Sequence, residues 1–316
     1  MHRQTQTYLR NLFARRGIAP QHRYGQNFLI DLNIHDVIFK AAEIQPTDVI
    51  LEVGPGAGAL TTIMAEAASA VVAVEIDPAM ARLTEDATSG RMNVRVLNMD
   101  ALKNKHTMAP EVLSNVRAGL AVAPDRTFKL VANLPYNIAT PIISNLLISP
   151  DLCPTMMVVT IQLELADRLR AEANSQAFGG LSVLVQALAD VELVRTLPPK
   201  VFWPRPKVES AIIKITPRAE KLARIGDLKW FNAIVRRIFL HRRKNIRGVL
   251  HTAWKDRWTK PEVDAMLEGL GLNGMIRAEA MNVEEFISLA DALKAKFGEP
   301  PASEEASEDE ASPDEE

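Results

Sequence analysis

The chain has 316 residues, a formal net charge of −2 and a single cysteine, Cys153. One cysteine excludes a disulfide framework and a zinc cluster of cysteine ligands, and no run of about 18 apolar residues predicts a membrane span. The first residues show no uninterrupted apolar stretch before a small-residue cleavage site, so we expect no secretory signal and a cytoplasmic location. A chain of this length is expected to form two domains.

A glycine-rich turn follows the first predicted strand. Residues 49–53 are almost all apolar, as in a strand that is buried on both faces, and a helix is predicted from about Gly58. Gly54, Gly56 and Gly58 lack Cβ atoms, which permits a sharp turn and the close approach of a ligand. The spacing G-x-G-x-G, rather than G-x-G-x-x-G, favours an uncharged adenosyl ligand such as S-adenosylmethionine over a dinucleotide.

Acidic residues end the next two predicted strands. Glu75 lies in residues 71–77, 21 residues after Gly54, a spacing at which a carboxylate can accept hydrogen bonds from two ribose hydroxyls. The strand at residues 94–98 ends near Asp100, whose carboxylate can accept a hydrogen bond from an adenine amino group. An acid at this position is also an ordinary helix or turn cap.

The fourth predicted strand, residues 128–132, runs into the sequence Asn-Leu-Pro-Tyr. The side-chain oxygen of Asn133 and the backbone carbonyl of Leu134 can accept the two hydrogens of a flat base's exocyclic amine and aim its lone pair at a methyl donor. Pro135 stiffens the turn, and the ring of Tyr136 can stack on the base. The motif therefore predicts catalysis by positioning, without a strong general base, although an Asn-Pro loop with a packed tyrosine gives the same pattern.

The second half of the chain changes from strands to helices. Residues 191–197 and 208–215 are predicted to pair antiparallel, and the proline-rich loop between them presents Phe202 as a second stacking wall for the base, although such loops are more often packing. Helical periodicity follows at residues 230–240, 260–267 and 283–295. We predict an α/β fold, a Rossmann-like S-adenosylmethionine-dependent methyltransferase sheet with a small C-terminal all-helical domain. The predicted limits are 1–217 for the first domain, 218–298 for the helical domain and 299–316 for a disordered acidic tail.

Charge is distributed unevenly along the chain. The tail carries nine acids and no base, so residues 1–298 hold 37 lysines and arginines against 30 acids. One basic cluster precedes Asp31 and consists of Arg3, Arg10, Arg15, Arg16 and Arg23. A second cluster contains the candidate RNA-binding residues Arg236, Arg237, Arg242, Arg243, Lys244 and Arg247. A solvated helix face is the alternative interpretation, but two clusters beside an adenine-type site favour phosphate contacts.

Taken together, these motifs resemble the KsgA-type ribosomal RNA adenine dimethyltransferases. The matching stretches are residues 24–29, 51–58, 74–77, 100–101, 133–141, 162–169, 202–210 and 277–286. The resemblance implies transfer of methyl groups to two adjacent adenosines near the 3′ end of small-subunit ribosomal RNA, within an immature 30S-type subunit, and we expect a monomer without a metal ion. It implies that Tyr136 and Phe202 flank the target adenine. The residues expected to hold S-adenosylmethionine are Gln26, Asn27, Leu29, Gly54, Gly56, Glu75, Ile76, Asp100, Ala101 and Asn133.

Two alternatives stay open at this point. A large-subunit adenine methyltransferase of the macrolide-resistance type shares the motifs, and a substrate assay alone separates it from the first hypothesis. A nucleic-acid-binding factor on the same fold without catalysis is the other, and the intact Gly54, Glu75, Asn133 and Tyr136 argue against it. Residues 102–126 are longer than is usual in the family, and we predict an inserted helix and loop there. Gly180 stands where some relatives carry arginine, and the acidic tail is a third departure.

Overall fold

The computed structural model describes residues 5–104, 107–149, 151–255 and 257–299. Arg3 of the basic arm and the acidic tail beyond Glu299 therefore lie outside the described residues. The chain divides into two compact units between Arg224 and Ile225. This division falls a few residues after Pro217, because Lys221 is tied to the first unit through the Ala189 carbonyl and the Asp190 carboxylate, each 2.8 Å from its Nζ. The three-part division with its limits stays a prediction.

The first unit is built on a seven-stranded sheet with the order β4-β3-β2-β7-β8-β11-β9. The strands among the described residues are, in chain order, β1 (Phe28–Leu29), β2 (Asp48–Val53), β3 (Ala70–Glu75), β4 (Val94–Asn98), β5 (Leu102–Asn104), β6 (Thr107–Met108), β7 (Thr127–Asn133), β8 (Met156–Gln162), β9 (Ala189–Leu197), β10 (Phe202–Trp203) and β11 (Ser210–Pro217). Strands β4, β3, β2, β7 and β8 are parallel, while β11 runs antiparallel to both β8 and β9. The parallel strands bring their carboxyl ends to one edge of the sheet, where open α/β sheets bind ligands.

Helices cover the sheet and form the second unit. Those of the first unit are α1 (Gln6–Arg16), α2 (Leu32–Ala42), α3 (Ala59–Ala67), α4 (Pro78–Ala87), α5 (Pro110–Leu120), α6 (Ala139–Leu147), α7 (Leu163–Arg170), α8 (Gly180–Leu188) and α9 (Ala219–Ala223). Those of the second are α10 (Leu228–Leu240), α11 (Ile246–Ala253), α12 (Lys260–Gly269) and α13 (Val283–Phe297). In the described part of the chain, no helix has both the length and the apolar character that a membrane crossing requires.

The predicted fold class, a Rossmann-like sheet followed by a helical region, is confirmed. The predicted strands at residues 49–53, 94–98 and 128–132 are present as β2, β4 and β7. Strand β3 ends at Glu75, two residues before the predicted end, because the Asp77 side chain already caps α4. The insertion contains helix α5 as predicted, but a short hairpin of β5 and β6 precedes it.

In the second unit, α13 packs antiparallel along α10. Near the start of α10, Trp230 donates its indole N–H to the Ala290 carbonyl at 2.7 Å, and Lys294 Nζ lies 2.9 Å from Asp227 Oδ2. Near the end of α10, the ring of Phe239 stacks on that of Phe286 at 5.5 Å between centroids. The last turn of α13 therefore lies beside the first turn of α10.

Candidate active site

A cleft opens at the carboxyl ends of β2, β3, β4 and β7. Every residue expected to hold the cofactor lines it, together with Asn133, Leu134, Pro135 and Tyr136. The glycine turn, the end of β3, the loop after β4 and the segment before α2 each contribute to its walls. The structure thus brings together five separate stretches of sequence, and the role of each residue within the cleft stays a prediction. No cluster of metal-ligating side chains occurs among the described residues.

The glycine turn has a conformation that a side chain would disturb. Gly54 and Gly56 have φ angles of +75° and +60°, in the left-handed region that favours glycine. A Cβ atom on Gly54 would lie 3.0 Å from Pro135 Cδ, and one on Gly56 would lie 3.0 Å from the ring of Phe28. The turn is therefore packed closely against the Asn-Leu-Pro-Tyr motif, so that both line one wall of the cleft.

Glu75 is a buried carboxylate that braces the turns around it. Its two oxygens accept hydrogen bonds from the backbone N–H groups of Gly56 at 3.2 Å and Asp77 at 3.0 Å, and its side chain is 6% exposed. Burial raises the pKa of Glu75 to about 7. Glu52 is also buried, which raises its pKa to about 8, and it accepts a hydrogen bond from Thr61 Oγ1 at 2.6 Å. Glu75 is the better placed of the two to accept further donors, because it ends its strand at the cleft.

Asn133 presents an oxygen that has no partner. Its Nδ2 donates to the backbone carbonyl of Asn27 at 3.0 Å. This bond fixes the orientation of the amide, because a flipped amide would place Oδ1 against the Asn27 carbonyl oxygen, and neither oxygen can donate. Its Oδ1 is buried and has no hydrogen-bond partner among the described residues. A buried carbonyl oxygen without a donor costs about 1–3 kcal/mol. The site is therefore complementary to a ligand that brings an N–H or O–H group to this point.

The Tyr136 hydroxyl forms a hydrogen bond with Ser210, a residue outside the predicted site. Tyr136 Oη and Ser210 Oγ lie 2.6 Å apart, joining the short 3₁₀ helix Tyr136–Ile138 to the start of β11. Burial raises the pKa of Tyr136, so its hydroxyl stays neutral at physiological pH. The available signal for Ser210 was a small polar residue directly before the apolar residues Ala211, Ile212 and Ile213 of β11, and its partner is 74 residues away in the chain.

Gln26 is engaged within the protein. Its Nε2 donates to Asp77 Oδ2 at 2.7 Å, and its Oε1 accepts the backbone N–H of Gln21 at 2.8 Å. Asp77 is buried and caps α4 through Ala79. The side chain of Gln26 thus fixes the segment before α2 against the turn between β3 and α4, which positions this wall of the cleft.

Phe202 is buried in this structure, away from the residues that line the cleft. Its side chain is 2% exposed and belongs to the hydrophobic core with Leu29, Ile34 and Ile38, and it does not line the cleft. Its strand β10 pairs with β1, so that Phe202 lies opposite Leu29. The structure therefore gives no support to the predicted stacking wall, and Phe202 supports the segment that carries Asn27.

The six basic candidates of the second unit have different environments. Arg237 is 9% exposed, because α10 turns it toward the buried side with Ile234 and Ile238, and Arg247 forms a bidentate pair with Asp264 at 2.5 and 2.7 Å. Arg237 is therefore largely buried and the charge of Arg247 is compensated by Asp264, and their role in RNA binding stays a prediction. The other four are exposed and form no ion pair with any described residue. We call them the basic face: Arg236, Arg242, Arg243 and Lys244.

Comparison with known proteins identifies relatives of the whole folded chain. The profile of the family described as Ribosomal RNA adenine dimethylase matches residues 19–295. Ribosomal RNA small subunit methyltransferase A of Streptococcus thermophilus is 38% identical over 284 residues, which cover 90% of this chain and 95% of the relative. The crystal structure of a dimethyladenosine transferase from Plasmodium falciparum, 24% identical, covers 84% of this chain and 97% of its own with a TM-score of 0.68, which supports the fold. The 23S rRNA methyltransferase ErmE, 28% identical, covers 85% and 100% with a TM-score of 0.60.

Proposed function

The chain belongs to the ribosomal RNA adenine dimethylase family, and on this premise we propose that it dimethylates the exocyclic amines of two adjacent adenosines near the 3′ end of small-subunit ribosomal RNA. The methyl donor is S-adenosylmethionine. We propose that the enzyme is a cytoplasmic monomer that acts on an immature small subunit during its biogenesis. The observation that carries the proposal is the buried Asn133 Oδ1, which lacks a donor within the described part of the protein.

The cleft fits an adenosyl cofactor in two respects. The glycine turn brings its backbone to the wall of the cleft in a conformation with positive φ angles, and Glu75 offers a buried carboxylate to two hydroxyl donors. We propose that Glu75 holds the ribose, that Ile76, Asp100 and Ala101 contact the adenine, and that the segment before α2 closes the remaining side. When bound, the cofactor supplies an electrophilic methyl group.

The protein's own contribution to the chemistry is alignment. Asn133 Oδ1 and the Leu134 carbonyl can each accept one hydrogen of the adenine amine, which favours a tetrahedral nitrogen whose lone pair points at the methyl group. Tyr136 is partly exposed in the cleft and can stack on the base. The Tyr136 hydroxyl remains protonated, which agrees with a reaction that needs no strong base. Such alignment can contribute on the order of 7–11 kcal/mol.

The substrate decides between the two enzymatic hypotheses. The small-subunit relative is 38% identical, whereas ErmE, which acts on 23S rRNA, is 28% identical. We expect radiolabelled S-adenosylmethionine to label small subunits that lack the modification, with two dimethylated adenosines mapped near the 3′ end of the RNA. Unmodified large subunits serve as the matched control. Labelling of the large subunit alone would replace this proposal with the resistance-type activity.

The basic face predicts strongly salt-dependent RNA binding. Changing Arg242, Arg243 and Lys244 to glutamate should weaken binding to small subunits and flatten the slope of log affinity against log salt by about 0.7–0.9 for each phosphate that the variant no longer neutralises. A variant with glutamate at Arg82, Arg95 and Arg117, which are also exposed and without ion pairs among the described residues, carries the same charge change in the first unit. Cofactor affinity should not change in either variant. Wild-type affinity and slope in the first variant would contradict the assignment of this face.

Substitutions of Tyr136 separate the ring from the hydroxyl. We expect Tyr136→Ala to reduce methylation severely, whereas Tyr136→Phe should keep much of the activity because the ring remains. Ser210→Ala removes the same hydrogen bond from the other side and is the matched control, so both conservative variants should behave alike, with a cost of about 1–3 kcal/mol in stability for the partner that is left unpaired. An inactive Tyr136→Phe enzyme with an active Ser210→Ala enzyme would show that the hydroxyl has a catalytic role.

A further inference from the structure

The C-terminal tail is the most acidic part of the chain. Residues 299–316, the acidic tail, contain nine carboxylates and neither lysine nor arginine. Its first residue, Glu299, is exposed at the end of the described chain, and 17 residues follow it. A segment of this composition is a counterpart in charge to the basic face of the same unit.

The geometry of the second unit places the basic face within reach of the tail. Because α13 runs antiparallel to α10, the tail leaves the folded unit beside the first turn of α10, near Asp227. The basic face begins near the last turn of α10, a 13-residue helix about 20 Å long. Seventeen residues can span at most about 60 Å when extended. The tail can therefore reach Arg242, Arg243 and Lys244 without any change in the unit.

Two cations near the exit of the tail are already engaged. Arg257 donates to the Phe297 carbonyl at 3.1 Å, and its guanidinium lies over the Phe297 ring. Lys296 lies 3.7 Å from Glu262 and over the ring of Trp258. The cations of the basic face, in contrast, form no ion pair within the described chain. The basic face therefore offers more uncompensated positive charge than these neighbours of the exit point.

We propose that the acidic tail binds the basic face of its own chain and competes there with RNA. Each exposed ion pair contributes little by itself and is screened by salt. Several pairs act together, however, and the tether gives the tail an effective concentration in the millimolar range. The binding of the tail is independent of methylation, whereas the competition with RNA rests on the proposed function. Salt or a higher-affinity polyanion would displace the tail.

Zero-length carbodiimide cross-linking of the full chain, without RNA, tests the binding. Two exposed lysines are compared as cross-linking sites for the carboxylates of the tail. Lys244 belongs to the basic face, and Lys229, in the first turn of α10, is the control because it lies nearer the exit of the tail. We expect several-fold more cross-links from the tail to Lys244 than to Lys229, with a yield that does not depend on protein concentration. Arg242→Gln with Arg243→Gln should abolish this preference. A preference for Lys229, or a yield that rises with concentration, would overturn the proposal.

RNA binding tests the competition. Replacing the eight acids from Glu304 to Glu316 by their amides keeps the length of the tail and removes its charge. We expect this variant to bind small subunits roughly threefold or more tightly than the wild type at low salt, with the difference vanishing at high salt. Equal affinities at low salt would refute the competition. If the basic-face charge reversal leaves RNA binding unchanged while the wild-type chain still forms the cross-link at Lys244, the RNA assignment fails and the binding of the tail stands.

Discussion

Asn133→Ala is expected to lower the turnover number for adenine methylation by about 10²–10³, the usual effect of removing one preorganised hydrogen-bonding group from a reacting centre. The variant loses the buried Oδ1 that no described residue satisfies, and with it one acceptor for the adenine amine. Small-subunit binding should be nearly preserved, because the basic face lies in the other unit. Single-turnover methylation with saturating cofactor, measured together with RNA affinity, separates the two effects.

Thr160→Val is the matched control for this substitution. Thr160 lies opposite Asn133 on β8, is fully buried, and its hydroxyl also lacks a partner among the described residues. The change keeps the shape of the side chain and removes a buried polar group, so activity should remain near the wild-type value. If Thr160→Val and Asn133→Ala lose activity equally, the loss reflects the packing of the strand ends and the amide has no special role.

Glu75→Ala is expected to weaken cofactor binding by about 10²-fold or more. Two hydrogen bonds from ribose hydroxyls to the carboxylate would be lost, each worth about 1.5–3 kcal/mol. Because Glu75 also braces Gly56 and Asp77, the variant needs a second ligand as a control. The control ligand is a 2′,3′-dideoxy analogue of the cofactor product, which lacks both ribose hydroxyls. The wild type should bind this analogue much more weakly than the unmodified product, whereas Glu75→Ala should bind the two with about equal affinity. Calorimetry that shows full discrimination in the variant would contradict the ribose contact.

The raised pKa of Glu75 predicts that cofactor affinity depends on pH. In the free protein, burial raises this pKa to about 7, and the ribose donors require the ionised form. Cofactor affinity should therefore be constant above pH 7 and fall by up to about tenfold per unit below it. The raised pKa also affects the folding stability of the free protein. Because the folded state holds this proton more tightly than the unfolded state, in which the pKa is near 4.5, stability should decrease as pH rises from 4.5 toward 7. The pH dependence of cofactor affinity should be lost in Glu75→Ala, whereas the decrease in stability should only become smaller, because the raised pKa of the buried Glu52 contributes to it as well.

Structural features that depend only on neighbouring residues in the chain could be predicted from the sequence. The apolar run before Gly54, the positive φ angles of the glycines and the acid at the end of β3 depend on neighbouring residues, and all are present in the structure. The Asn-Leu-Pro-Tyr motif likewise lies where β7 ends. Strand β8 was missed although five of its seven residues are apolar, because a short apolar run suits a buried strand or a buried helix equally well.

The environment of individual side chains was harder to predict. The burial of Arg237 had a signal, since it lies three residues after Ile234 and directly before Ile238 on one face of α10. The pair between Arg247 and Asp264 had none, because it joins two different helices. Phe202 was predicted at the cleft from its loop, and the pairing of β10 with β1 turns it into the core.

The fold class, the family and the residues that line the cleft follow from the sequence, because the hydrophobic period, the spacing of the glycines and the residues at strand ends are local properties of the chain. Which polar atoms in the cleft lack a hydrogen-bond partner depends on contacts between segments that are distant in the sequence. Asn133 Oδ1 lacks a donor because its amide N–H is held by Asn27, 106 residues away, and Tyr136 is fixed by Ser210, 74 residues away. Local patterns carry no record of such contacts, since a hydrogen bond forms only when packing brings two distant segments within about 3 Å.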